Sequence, residues 1–180
     1  KNDLGEPHHH LLSPREAAFI GMRDSFYMAT VTETGWPYIQ HRGGPPGFLR
    51  VLDEKTLAFA DFRGNRQYVS VGNLATNHRV ALFLMDYPNR ARLKILGRAR
   101  VIALKDDPSL IARLTLPGYR AKPEHAMLIT VEAFDWNCSQ HITERFTLAD
   151  VEQATEGLRT RIAELEAELA KAKAVTAQRV

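Results

Sequence analysis

At 180 residues, 44% hydrophobic and 25% charged, the chain has apolar material for one globular domain plus an appendage, and no run approaches the roughly 18 apolar residues of a membrane helix. A single cysteine, Cys138, excludes an intramolecular disulfide, and a formal charge of +3 is too small an excess to argue for nucleic acid, though it allows local anion sites. The opening KNDLGEPHHHLL lacks the basic start and apolar core of a signal peptide, so a reducing cytoplasm is the expectation, with the natural start left open by a leading Lys1.

Residues 1–12 read as an irregular arm, and the histidines at 8–10 as having no metal role, because no second ligand cluster stands near them. The segment 13-SPREAAFIGMR-23 predicts a short amphipathic helix: Ser13 suits the N-cap, Pro14 the first helical position, and Glu16 the third position of a capping box. Strand patterns follow at 26-FYMATVT-32, 38-YIQHR-42, 48-FLRVLD-53 and 56-TLAFA-60, separated by the turns 33-ETGWP-37, 43-GGPPG-47 and 53-DEK-55. Residues 66–77 read as a short helix leading into a loop. The apolar run 79-RVALFLMD-86 is a strand buried on both faces, and 92-RLKILGRARVIAL-104 alternates, with Leu93, Ile95, Gly97, Ala99 and Val101 on one side. A helix over Pro108–Leu116 and a last strand, 126-AMLITVEAFDWN-137, complete a domain over residues 13–146. Short strand spacing with few helices predicts a mainly β, antiparallel barrel or sandwich.

From Thr147 the composition turns to Ala, Glu, Leu, Lys and Arg. Leu158, Ile162, Leu165 and Leu169 form a seam of about two heptads, expected to pack on the chain's own barrel or, as the favoured reading, on a partner's copy.

The chemistry concentrates at strand ends. In 59-FADFRGNRQ-67 a Gly-Asn step allows a turn whose backbone N–H groups form an anion nest, and Arg63 or Arg66 can add a guanidinium fork; a solvated surface turn is the competing reading. The runs 40-QHRGG-44 and 90-RARLK-94 also place cations at strand ends. Asp61 is the one carboxylate near these cations in sequence, so the ends are expected to converge on a flat polyanionic ligand. Cys138 reads as a buried thiol rather than a nucleophile.

Together, 37-PYIQHRGGPPGFLRVLD-53, 56-TLAFADFRGNRQYVSVGNL-74, 79-RVALFLMDY-87 and 92-RLKILGRARV-101 resemble the FMN-binding split-barrel family related to pyridoxamine 5′-phosphate oxidase, over about residues 15–145. The segment 136-WNCSQHI-142 resembles the Asn-Cys-Pro-Lys-Tyr-Ile ending of an uncharacterised branch, departing at Ser139, Gln140 and His141. The resemblance implies a six-stranded split barrel that forms a homodimer with FMN at the interface. By position, Asn65, Arg66 and Gln67 would hold the phosphate, Ala60 and Asp61 would run along the flavin edge, and Gln40, His41, Arg42 and Gly43 would line the isoalloxazine. Arg92 and Lys94 would reach a flavin from the same or the other subunit, and Trp136, Asn137 and His141 would close the site, with Trp136 equally readable as a core anchor. His41 is a candidate base, though an ordinary hydrogen-bonded histidine is the commoner case. The B6 oxidases themselves carry a lysine after the second strand and a basic C-terminal motif; here stand Gln-His-Arg and a Leu/Glu/Ala helix, so pyridoxamine phosphate is not the expected substrate. The resemblance implies an oxidoreductase acting on a small molecule, with NAD(P)H or oxygen completing the cycle. The alternatives are a flavin carrier or sensor without turnover and a relative binding deazaflavin F420 or haem.

Overall fold

The computed structural model describes residues 9–64, 67–136 and 139–177. Asn65, Arg66, Asn137 and Cys138, all singled out above, lie outside the described residues, as does His8.

The chain divides into two units, Lys1–Ile142 and Thr143–Val180. In the first, the order is α1 (Pro14–Gly21), β1 (Ser25–Val31), β2 (Pro37–Gly43), β3 (Arg50–Asp53), β4 (Thr56–Phe62), α2 (Val69–Thr76), β5 (Arg79–Asp86), β6 (Ala91–Ala103), α3 (Pro108–Leu114) and β7 (Pro123–Trp136). The second holds α4 (Leu148–Ala177).

Helix α1 starts as its sequence dictates. The Ser13 hydroxyl accepts from the Arg15 N–H, and the Glu16 carboxylate accepts from the Ser13 N–H at 2.9 Å, completing a capping box. Phe19 and Ile20 turn its apolar face into the core. The arm is not wholly irregular: the Leu12 N–H donates to the Glu54 carbonyl, the Phe134 N–H donates to the His9 carbonyl, and Leu12 is buried.

All neighbouring strands pair antiparallel, in the order β2-β1-β5-β6-β7-β4-β3. The sheet has seven strands rather than the six the resemblance implies. The shortest is β3, a four-residue edge strand that pairs with β4. Strand β5, expected to be buried on both faces, instead alternates between buried and half-buried positions. Strand β6 keeps its alternation: Leu93, Ile95 and Ala99 are fully buried. Its register with β7 shifts between Leu96 and Gly97. A side chain at Gly97 would stand 2.5 Å from the Thr130 carbonyl oxygen, so only glycine fits where the ladder slips.

The sheet wraps around an apolar core. Phe26 stacks on Phe48 at 5.5 Å and meets Phe59 edge-on at 5.3 Å, joining β1, the loop before β3, and β4. Gly44 permits this packing, because a Cβ there would lie 2.7 Å from the Phe48 ring. Strands β2 and β4, first and sixth in the order, are tied by an Arg42–Asp61 ion pair of 2.5 Å. A contact across that much of the sheet requires it to curl nearly closed, which is a split barrel. A smaller apolar cluster, Ala58, Ala60, Leu110, Leu114 and Ala126, seats α3 against β4 and β7.

In the second unit, Thr147 and Asp150 cap α4 reciprocally, the Thr147 N–H donating to the carboxylate at 2.8 Å and the Asp150 N–H to the hydroxyl at 3.2 Å. Leu158, Ile162, Leu165 and Leu169 all remain exposed. Among the described residues no helix is long and apolar enough to cross a membrane.

Candidate functional site

The close approach of β2 and β4 leaves a cavity of about 270 Å³. Gln40, His41, Arg42 and Gly43 line it from β2, Ala60 and Asp61 from β4, with Tyr119 from the segment after α3. A recess of about 50 Å³ shares Gln40, Arg42, Asp61, Phe62 and Gly64 with this cavity and is completed by Gln67, Tyr68, Ser70, Val71 and Glu124. Eight residues singled out in the sequence, Arg63 and Gly64 among them, therefore line one space, and Gln67 stands at its edge.

Hydrogen bonding fixes the walls. The buried Ser70 hydroxyl, in the first turn of α2, donates to the Gln40 side-chain carbonyl at 2.9 Å, leaving the Gln40 amide NH₂ as a donor. The Arg63 N–H donates to the Lys122 carbonyl, extending the β4–β7 pairing past the end of β4. Helix α2 begins at Val69, later than Arg66 or Gln67 as expected, because Tyr68 adopts a left-handed conformation at its N-cap (φ 50°). Gly64 does not adopt positive φ, and Asn65, the other half of the Gly-Asn step, lies outside the described residues.

The electrostatics also depart from expectation. The cations at these strand ends meet carboxylates that are distant in sequence. Arg42 pairs with Asp61, Arg63 with Glu124 at 3.3 Å, and Lys94 with Asp135 at 2.7 Å. Glu124 also accepts from the Tyr68 hydroxyl at 3.0 Å. Glu124 and Asp135 both come from β7, whose pairing with β4 and β6 no local pattern announces. Burial pushes the Asp61 carboxyl above the usual carboxylate range, against the opposing pull of the Arg42 guanidinium and of His125, its cross-strand partner. Among the described residues the buried Arg42 Nε–H has no partner, nor do the His125 Nδ1 and the Nε–H groups of Arg50 and Arg92.

The other predicted residues lie elsewhere in the single chain. Arg92 sits over the Phe83 ring at 5.4 Å, and Lys94 borders a separate apolar groove; neither lines the β2–β4 cavity. Trp136 is an anchor: its indole N–H donates to Glu16 at 2.6 Å and its ring meets Phe19 edge-on at 4.7 Å. His141 adopts positive φ (64°) and is exposed. Residues missed in the sequence are Ser70, Tyr119, Glu124 and His125. A serine in the otherwise apolar run 69-VSV-71 was a readable signal; the other three are recruited only by strand pairing and loop return. Among the described residues no three His, Cys, Asp or Glu side chains gather as a metal site.

Comparison with solved structures shows the same fold at low identity. HupZ of Group A Streptococcus superposes with a TM-score of 0.54 at 17% identity, covering 76% of this chain and 100% of that one. A candidate pyridoxamine 5′-phosphate oxidase of Lactobacillus delbrueckii gives 0.53 at 19%, covering 72% and 97%. A Clostridium acetobutylicum protein related to general stress protein 26, of the pyridoxinephosphate oxidase family, gives 0.51 at 17%, covering 76% and 94%. No curated protein sequence matches the chain. The family model of pyridoxamine 5′-phosphate oxidase matches residues 12–135, from the approach to α1 to the end of β7, and takes in every residue that lines the β2–β4 cavity. On that match the chain belongs to the pyridoxamine 5′-phosphate oxidase family.

Proposed function

We propose that this protein binds FMN in the β2–β4 cavity and acts as a flavin-dependent oxidoreductase on a small molecule. One observation carries the reading: Gln40, His41, Arg42, Gly43, Ala60 and Asp61, brought from two distant strands, line one cavity, and the Arg42 beside it keeps a buried Nε–H with no partner among the described residues. The donor set fits a flavin. The Gln40 amide and the Arg42 guanidinium supply donors to a carbonyl-rich ring edge, and Gln67, with Asn65 and Arg66 beside it in sequence, supplies donors for a phosphate. A bound flavin supplies the hydride and electron chemistry itself. The chain's own residues position it and set its electrostatics. Asp61, buried and raised in pKa, holds a proton on its carboxyl more readily than an ordinary aspartate. His41, at the same cavity, is the candidate to move a proton for a substrate.

The functional unit of this reading is a homodimer. The outer face of β1, β2, β5 and β6 carries an apolar groove of about 420 Å³ bordered by Tyr27, Ile39, Phe83 and Leu96, and Ile39 and Leu96 are more than half exposed. A second copy covers that groove, and Arg92 and Lys94, on the same β6, then approach the partner's cavity.

A second reading rests on the exposed seam of α4: a flavin carrier or sensor whose terminal helix engages a partner. Anaerobic titration separates the two. Purified protein that takes up FMN, bleaches with NAD(P)H or a metabolite and recovers in air supports the enzyme. FMN that binds but resists every reductant offered supports the carrier. Protein that refuses FMN altogether overturns both.

A further inference from the structure

We propose that the cleft enclosed by α1, β3 and α3 is a second ligand site, built for a small organic molecule with an oxyanion head such as a phosphate monoester. It shares no lining residue with the β2–β4 cavity. Its volume of about 460 Å³ suits a small-molecule site, typically about 300–1,000 Å³. Its charged lining consists, among the described residues, of Arg50 from β3 and Arg113 from the last turn of α3, with no carboxylate. The rest, including Ala17, Gly21, Val51 and Leu52, is apolar or small.

The two arginines of the cleft, like Arg92, have no ion pair among the described residues, and unlike Arg92 they share one concave lining. Arg23, Arg42, Arg63 and Arg98 each reach a carboxylate. Arg50 has no such partner among the described residues, and its Nε–H, like those of Arg42 and Arg92, is buried with no acceptor among them. Burying a guanidinium N–H unpaired is costly, and an oxyanion accepting from Arg50 removes that cost. Arg113 also lacks an ion pair among the described residues. The acid whose pKa it helps to lower, Asp107, is committed to capping α3 through the Leu110 N–H and the Ser109 hydroxyl. Arg50, half-buried, and Arg113, exposed, stand 63 positions apart in sequence (113 − 50) and line one concave surface whose described lining holds no carboxylate. Arginine's planar fork matches a phosphate or carboxylate, and the apolar walls take an organic body. Strand β3 is the sheet's edge, so the cleft is walled on one side by backbone that no further strand covers.

The test is titration of the full chain, followed by amide NMR, with phenyl phosphate as the probe and benzoate and inorganic phosphate as comparison arms. Saturable binding of phenyl phosphate at millimolar concentration or tighter is expected, with shifts at Gly21, Val51, Leu52 and Arg113. Tighter binding of phenyl phosphate than of benzoate assigns a phosphate head; the reverse assigns a carboxylate, and both keep the oxyanion site. Arg50→Ala and Arg113→Ala should each weaken the probe by about tenfold or more, the loss of one charge-assisted contact. Arg50→Lys, which keeps the charge but not the fork, should fall between, and it reads the site even if Arg50→Ala fails to fold. Arg98→Ala, which removes an exposed arginine lining neither cavity, should leave this affinity unchanged. The proposal is overturned if no probe saturates, if Arg50→Lys and Arg113→Ala both bind like the parent chain, or if Arg98→Ala weakens the probe as much as they do. None of these outcomes depends on whether FMN occupies the other cavity.

Discussion

Glu16 shows how one side chain joins local and tertiary structure. It caps α1 through Ser13 and accepts the indole N–H of Trp136, 120 positions away. Burial alone would raise its pKa, but the hydrogen bonds from Ser13 and Trp136 outweigh it and hold the carboxyl below its ordinary 4.5. A carboxylate with a lowered folded pKa stabilises the fold above its unfolded value, and that contribution disappears as pH falls through the folded one. Glu16→Ala should therefore cost about 1.5–3 kcal/mol at neutral pH in urea unfolding, and the gap to the parent should close in acid. A gap independent of pH would assign the loss to packing. Asp61 has the opposite sign. Its raised folded pKa means that its stabilisation is complete below 3.8 and is lost as pH rises through the raised value. Arg42→Ala leaves this buried carboxyl without its cation and should cost about 3 kcal/mol at neutral pH, with recovery on acidification as Asp61 takes up a proton. If FMN sits where proposed, the same variant should also bind it more weakly, as flavin fluorescence titration would record. Ser13, Pro14 and Glu16 were legible as a cap because capping is local. Asp61, the partner of Arg42, was visible as the one nearby carboxylate, but the partners of Arg63 and Lys94 were not, because a carboxylate on another strand carries no mark in the sequence around the cation it meets.

At the scale of elements, strand β6 was readable from its alternation, since a side-chain period of two puts Leu93, Ile95 and Ala99 on one buried face. The irregularity inside it was not. Gly97 looked like another small inward residue, but it sits where β7 slips register and the Thr130 carbonyl comes close. Gly97→Ala should destabilise the domain by about 1–3 kcal/mol, the range for overpacking a tight site, and thermal unfolding would show it. An unchanged midpoint would mean that the ladder absorbs a methyl group freely. The boundary of α2 moved for a similar reason. Its start depends on the left-handed backbone of Tyr68, which a tyrosine gives no cause to expect.

At the scale of the whole molecule, the open question is assembly. If a second copy covers the groove bordered by Ile39 and Leu96, a charge placed there must be buried unpaired or the copies must separate. Leu96→Arg should convert dimer to monomer in sedimentation equilibrium and lower flavin retention with it. A dimer that survives the substitution would move the interface elsewhere. What the sequence by itself determined is what short-range physics controls: the capped α1, the alternating strands, the antiparallel class, and the strand ends that carry cations. Only the tertiary structure decided that β2 and β4 close on each other, that β3 takes an edge of the sheet beside β4, that Trp136 anchors α1, and that Arg92 and Lys94 lie outside the cavity of their own chain. Those outcomes depend on which strands pair and how far the sheet curls. That is settled by the burial of the whole apolar face at once, and no window of neighbouring residues contains it.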